Sequence, residues 1–297
     1  MSRMSKGEKV FQVFISLFMI ILAIILVYPF WDVVCHSLSD KDVVRNTTTF
    51  LWPKGFSLDA YKALVMDDGF AKSVWNSVFV VGMHTLICIF TTFMVAYPLA
   101  QEKAFKGRKV FSYYILICTK FSGGVIPTYL LMRDLGLINN LWSLILPGVT
   151  GMSFCFMQRK FIQQIPEVLR EAATVDGANE WAILFKVIMP LCVPSIAYIA
   201  AMNLIAEWNS WYDCMIYILD RDKYIVMAKL REIIFVYTSE DFLRTDPDAA
   251  LQGADVTAYR EIMKQAATVI ATIPVMCVFP FMQKQFISGL TEGGVKG

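Results

Sequence analysis

EAATVDGANEWAILFKVIMPLCVP, residues 171–194, begins as a polar helix, breaks at Gly177, starts again at Asn179 and passes through Pro190 into an apolar segment. Just upstream, Pro166 suits the first turn of a helix, and Glu167 sits at the end where the helix dipole favours an acid. Gly177 is placed as a C-terminal stop. This predicts a helix of about three turns. Val168, Ala172 and Val175, with Leu169 and Ala173 beside them, make a small apolar face at i, i+4, i+7 spacing. Glu167, Arg170 and Glu171 cover the other side, with Glu167 in reach of both at i+3 and i+4. Small alanines let another surface come close, whereas a helix that lies in lipid prefers Leu, Phe or Trp. The stretch reads as a docking helix, with an ordinary connecting loop as the alternative. Asp176 stands at the mildly unfavourable end for a negative charge, which asks for a partner or a cap for the next helix. Asn179 reads as the N-cap of a second short helix, with Glu180 in its first turn, that runs through Trp181, Phe185 and Ile188 to Pro190.

Around this elbow the chain is apolar. Of its 297 residues, 57% are hydrophobic and 18% charged, and the mean hydropathy is +0.53, too high for an ordinary soluble domain. Crossing hydrocarbon takes about 20 apolar residues as a helix, and six runs approach or exceed that length: about 10–31, 74–100, 110–132, 141–157, 187–211 and 265–281. The expectation is an all-α membrane protein, one transmembrane domain over 1–297, with six transmembrane helices, the elbow at about 166–189 and a tail at 284–297. The first run follows Arg3, Lys6 and Lys9 like a signal peptide, but it is too long for an h-region. Tyr28-Pro29-Phe30 is no small-residue cleavage site, so the helix is expected to be retained.

Basic residues orient the chain. With the N-terminus cytoplasmic, the inside segments hold Arg3, Lys6 and Lys9; Lys103, Lys106, Arg108 and Lys109; and Arg159, Lys160, Arg170 and Lys186. The short outside segment between the third and fourth runs holds only Arg133 beside Asp134. Both termini and the elbow are therefore expected in the cytoplasm of a multi-pass protein. The seven cysteines lie mostly inside the runs with no C-x-x-C pair, which suggests neither a disulfide framework nor a metal site. His84 and Cys88 share a helix face, but two ligands do not close a metal site.

Glu171-Ala172-Ala173, then Gly177, then Val187, Met189 and Pro190 resemble the EAA signature of binding-protein-dependent ABC importer permeases. The family pattern has Ile and Leu where this chain has Val187 and Met189, replacements of similar volume. FSGGVIPTYLLMRDLGLINNLWSLILP (121–147) is similar to the third and fourth spans of carbohydrate permeases, AEWNSW (206–211) to their fifth-span element, and GLTEGGVKG (289–297) to the ending of the maltose-type permease. The resemblance implies a type I ABC importer permease fold in the smaller, maltose-type branch, among members that serve polysaccharide fragments through lipoprotein-linked systems.

What the resemblance implies is specific. The elbow becomes a coupling helix seated in a cleft of a cytosolic ATPase, with Glu171, Ala172, Ala173, Asp176, Gly177 and Pro190 as its coupling residues. The tail, with Gly289, Thr291, Gly293, Gly294 and Lys296, reaches along the ATPase interface; its glycines suit a peptide that orders on a partner, and a frayed end is the alternative. Expected partners are a second, different permease chain, two ATPase subunits, an extracytoplasmic solute-binding protein, an oligosaccharide substrate and membrane lipid, with no nucleic acid. No G-x-x-x-x-G-K-[ST] run occurs. ATP and Mg are accordingly expected on the partner ATPase, with no cofactor in this chain, in a bacterial cell membrane.

Polar side chains inside spans are costly and usually face a cavity or a partner. Lys120, Asn203 and Glu207, with Tyr129, Trp208 and Asn209 as stacking or hydrogen-bonding candidates, are the expected substrate pathway. Glu207, Trp208 and Asn209 have interfacial anchoring as an alternative. Lys120, read as mid-span, would pair with a carboxylate of the second permease or meet an acidic sugar, and Pro127 and Pro147 would kink their helices. A permease for a non-sugar solute is the near alternative. An intramembrane enzyme or receptor would need a nucleophile and base or a metal set, which two isolated histidines do not supply.

Overall fold

The structure, a computed structural model, describes residues 6–44, 51–101, 105–238, 261–278 and 280. The described residues hold helices and no strand. In chain order the helices are α1 (Lys6–Ser37), α2 (Lys41–Val44), α3 (Asp59–Met66), α4 (Asp68–Ala100), α5 (Arg108–Lys120), α6 (Val125–Asp134), α7 (Trp142–Ile145) and α8 (Met152–Gln164). Then follow α9 (Glu167–Val175), α10 (Glu180–Ala182), a π-helical stretch (Ile183–Ile188), α11 (Met189–Leu191), α12 (Val193–Trp208), α13 (Tyr212–Tyr217), a 3₁₀ turn (Arg221–Lys223), α14 (Val226–Thr238) and α15 (Glu261–Val278).

The chain divides into two compact units, one of residues 1–68 with 230–272 and the other of residues 69–229 with 273–297. In the first, α1 exposes its large apolar side chains from Val10 to Phe30, a surface that lipid or another apolar chain must cover. Further along α1, Trp31 donates from Nε1 to the Leu51 carbonyl (2.8 Å) and meets Trp52 edge to face. The hydroxyls of Ser37 and Tyr61, 2.7 Å apart, tie α1 to α3.

Among the described residues of the second unit α4 is the one long unbroken helix, and shorter pieces gather on it. One core joins Val80 with Met132, Ile145, Tyr217 and Ile225; a second joins Phe93 and Tyr97 with Ile162, Ile183, Leu184 and Ile188.

Among the described residues three helices (α1, α4 and α15) are long and apolar enough to cross a membrane, or up to five segments if each bent pair counts as one span. The bends depart from the expected continuous runs. The 110–132 run is two helices, α5 and α6, meeting at 107°. The cause is Ser122-Gly123-Gly124, where Gly124 takes φ 86°, a left-handed value that costs glycine nothing. Lys120 is the exposed last residue of α5, directly before the bend. Pro127 lies in the first turn of α6, where its missing N–H is harmless, and kinks nothing. The 141–157 run is also interrupted: α7 ends at Ile145, and a turn over 146–151 containing Pro147 separates it from α8. The elbow's second helix and α12 meet at 78° around Cys192.

At the end of the 146–151 turn the backbone of Gly151 (φ 23°) passes close to α4. A Cβ there would stand 2.8 Å from Cys88 Sγ and 2.9 Å from Phe154 Cδ2. Gly151→Val is expected to destabilise the unit by about 1–3 kcal/mol through overpacking, read as a lowered melting temperature of the purified protein. Gly136→Ala, where a Cβ meets nothing within 4 Å, is the comparison that carries the left-handed backbone cost without the clash.

Candidate functional site

The elbow stands out from the second unit. Pro166 is the N-cap of α9 rather than its first helical residue, and none of the residues Glu167–Val175 is buried. Val168 and Val175, on the expected apolar face, are 69% and 87% exposed, so that face is uncovered. Glu171, Ala172 and Asp176 are exposed as well. Arg170 lies 3.7 Å from Glu167 at i+3.

The C-terminus of α9 closes as a Schellman motif. Gly177 at φ 79° gives its N–H to the Thr174 carbonyl, and Ala178 gives its N–H to that of Ala173, both at 3.0 Å. Asn179 caps the next helix, its Oδ1 accepting the Ala182 N–H at 2.8 Å. Between Ala182 and Pro190 the helix widens to π geometry, and Met189 donates to Leu184, five residues back. Pro190 follows immediately; it has no N–H to give and sits best where the ordinary ladder is already displaced.

Two contacts fasten this elbow to α4. The Tyr97 hydroxyl, nearly buried, donates to Glu180 Oε2 at 2.5 Å, and Gln101 Nε2 donates to the same oxygen at 3.3 Å. Below them Ala173 and Ala178 pack on the core of Phe93, Tyr97, Ile183 and Ile188, and Phe185 stacks between Trp181 and Phe90. A cavity of about 390 Å³ lies alongside, between Tyr97, Gln101, Ile162, Pro166 and Arg170. Glu180 and Tyr97 were not among the expected site residues. A carboxylate in the first turn of a helix passes for a dipole partner, and only the fold reveals its second task.

The expected pathway residues do not gather in one place. Asn203 and Glu207, one turn apart on α12, both face His84 of α4. Asn203 Nδ2 gives its two hydrogens to His84 Nδ1 (3.0 Å) and Thr85 Oγ1 (3.1 Å). His84 Nδ1 is then the acceptor, so Nε2 carries the proton and donates it to the Pro147 carbonyl at 3.2 Å. Glu207 Oε1 is 3.8 Å from the same Nε2. His84 is 2% exposed, and its neighbour Cys88 approaches Thr92 Oγ1. The signal that sequence reading missed is a spacing of seven: Ser77, His84 and Thr91 lie on one stripe of α4. Ser77 Oγ accepts the Val226 N–H at 2.7 Å, and Thr91 Oγ1 donates to the Val149 carbonyl at 2.7 Å.

Elsewhere, Tyr129 stacks on Tyr217 with centroids 6.3 Å apart. Trp208 is buried. Asn209 caps the end of α12, exposed, with Nδ2 donating to the Ile205 carbonyl at 2.8 Å. Residues 218–226 are held to the start of α4, where Asn76 Nδ2 donates to the carbonyls of Asp222 (2.9 Å) and Tyr224 (3.2 Å) and Lys72 pairs with Asp222 at 2.9 Å. The Lys72 hydrogen bond and charge hold the Asp222 carboxyl below its ordinary range, whereas burial pushes that of Asp213 up. Tail residues Gly289, Thr291, Gly293, Gly294 and Lys296 lie outside the described residues.

Removing the amide of Asn203 strands a buried imidazole nitrogen and a threonine hydroxyl. Asn203→Leu is expected to cost about 1–3 kcal/mol and to lower the melting temperature more than Asn209→Leu, whose side chain is exposed. Equal effects at the two positions would show that the buried network stabilises nothing.

No family model matches the sequence. Over 290 residues the chain is 34% identical to the polygalacturonan/rhamnogalacturonan transport system permease protein YtcP of Bacillus subtilis, covering 98% of this chain and 99% of that one. It is 34% identical over 293 residues to protein LplC of the same organism, covering 99% and 97%. The arabinooligosaccharides transport system permease protein AraQ of Halalkalibacterium halodurans is 29% identical, with 93% of each chain covered. Among solved structures, a bacterial ABC transporter involved in the import of the acidic polysaccharide alginate superposes with a TM-score of 0.84 at 27% identity, over 96% of this chain and 99% of that one. A chain whose described residues are helical, with helices long and apolar enough to cross a membrane, and that these proteins match over 93–99% of its length, belongs to the permease family of the ABC carbohydrate import systems.

Proposed function

We propose that the chain carries oligosaccharides across a bacterial cell membrane through six spans, with both termini cytoplasmic, as one of two different permease subunits. Two ATPase subunits supply ATP and Mg, an extracytoplasmic binding protein delivers the sugar, and this chain holds no cofactor and catalyses no reaction. The acidic sugars named for the Bacillus relative and for the solved transporter are the first substrates to try.

The observation that carries this reading is α9, an amphipathic helix whose apolar face is left open beside Glu171, Ala172 and Asp176. An ATPase cleft fits that face: small residues allow close approach, and the acids orient the dock. The Schellman turn at Gly177 and the π stretch before Pro190 set the angle at which the lever enters the membrane. Closure of the ATPases pushes α9, and the Glu180 contacts with Tyr97 and Gln101 pass the push to α4. The tail from Gly289 to Lys296 lies along the ATPase interface. Of the pathway candidates, Asn203 and Glu207 hold His84 and shape the wall, while Lys120, Tyr129, Trp208 and Asn209 line or flank the route.

The test is ATP hydrolysis by the reconstituted complex with and without sugar-loaded binding protein. Glu171→Ala and Gly177→Val are expected to abolish the stimulation; the second forces a side chain into a left-handed conformation that costs roughly 1–2 kcal/mol. Stimulation that persists in both variants would end the coupling reading. The latch gives a sharper measure. Glu180→Leu and Tyr97→Phe each remove a hydrogen bond to a charged group, and each should lower stimulated hydrolysis on the order of tenfold while basal hydrolysis stays. The double variant should be no worse than either single one. Additive losses would mean the two side chains do not act on each other.

A further inference from the structure

A second cavity, of about 380 Å³, opens between α5 and α8. Arg108, Lys109 and Arg159 line it with the Ser112 hydroxyl, and among the described residues no acid does. Arg159 donates from Nη1 to Ser112 Oγ at 3.2 Å, but its Nε is shut from solvent with no hydrogen-bond partner. A buried donor left unmade is costly, and here it belongs to a group whose fork matches phosphate oxygens. The remaining wall is apolar: Tyr113 and Leu116, both exposed, continue from it along α5, with Phe156 opposite on α8. α8 ends at Gln164, and the elbow helix begins at Glu167. The cavity therefore lies at the elbow end of these helices, level with the headgroups of that leaflet in the orientation proposed above.

We propose that this cavity binds the phosphate of an anionic phospholipid. Cationic pockets between helices on the cytoplasmic side suit such headgroups. The phosphodiester supplies acceptors to Arg159 and Ser112 and neutralises Lys109, and an acyl chain lies over Tyr113 and Leu116. Inorganic phosphate shares the anion but has nothing to place on the apolar wall.

The test uses the permease with its companion subunits in nanodiscs of phosphatidylcholine containing a minor share of spin-labelled phosphatidylglycerol, compared with spin-labelled phosphatidylcholine. Magnetic resonance reads the immobilised fraction. The wild type is expected to immobilise phosphatidylglycerol preferentially. Arg159→Gln and Lys109→Gln should each reduce that preference about fivefold, and Lys160→Gln, exposed and outside the cavity, should leave it unchanged. Lys109 is exposed, so its variant keeps the test valid even if Arg159→Gln fails to assemble. Equal immobilisation of the two lipids, or an equal loss in Lys160→Gln, overturns the site. Loss of the preference on adding inorganic phosphate assigns the cavity to the free anion and overturns the lipid. Readout by lipid immobilisation is independent of transport, so failure of the coupling reading leaves this result standing.

Discussion

In hydrocarbon a backbone N–H or C=O has no water to turn to, so any irregular stretch at that depth must be satisfied by protein. This constraint organises the second unit. Its helices are broken near residues 121–124, 146–151 and 192, and a break releases carbonyls and amides from the helical ladder. α4, unbroken, supplies what the 146–151 turn and the start of α14 lose. His84 and Thr91 donate to the carbonyls of Pro147 and Val149 in the turn before α8, and Ser77 accepts the first N–H of α14. The polar stripe through an apolar helix is the counterpart of the turns packed on it.

The elbow obeys the opposite demand. Its exposed charges, Schellman turn and uncovered valines suit water and a protein partner, and it would be costly in lipid. A protein that needs both environments must join them rigidly, and the join here is made by small side chains and one carboxylate. Ala173 and Ala178 bring α9 and its turn down onto the core, and Glu180 receives two donors from the end of α4. Of the pair of helices in the elbow, the first is offered outward and the second is fastened inward.

Much of this was legible in the residues. Gly177 and Asn179 announced the end of one helix and the start of the next because each does a local job with few substitutes: a left-handed backbone and a side-chain oxygen on a free N–H. The apolar face of α9 followed from spacing alone. Continuous spans did not survive where glycine pairs and prolines interrupt them, because hydropathy measures length and says nothing of direction. Lys120 shows the effect: its run reads as one straight helix, but the chain turns directly after it. Tertiary partnerships were the least legible. Nothing near Glu180 in sequence points to Tyr97, 83 residues away, and Asn203 looked available for a sugar until His84 and Thr85 took its hydrogens.

α4 has 33 residues, about 50 Å at 1.5 Å per residue, and side-chain contacts hold it at both ends. Near its start Lys72, Asn76 and Ser77 grip residues 222–226, and near its finish Tyr97 and Gln101 grip the elbow. A strut fixed in this way has no preferred direction. If a shift at the elbow alters the energy of the far loop, occupancy of the far loop must alter the energy of the elbow by the same amount. On the coupling proposed above, the rod that would deliver the power stroke is also the sensor that reports whether a load is waiting.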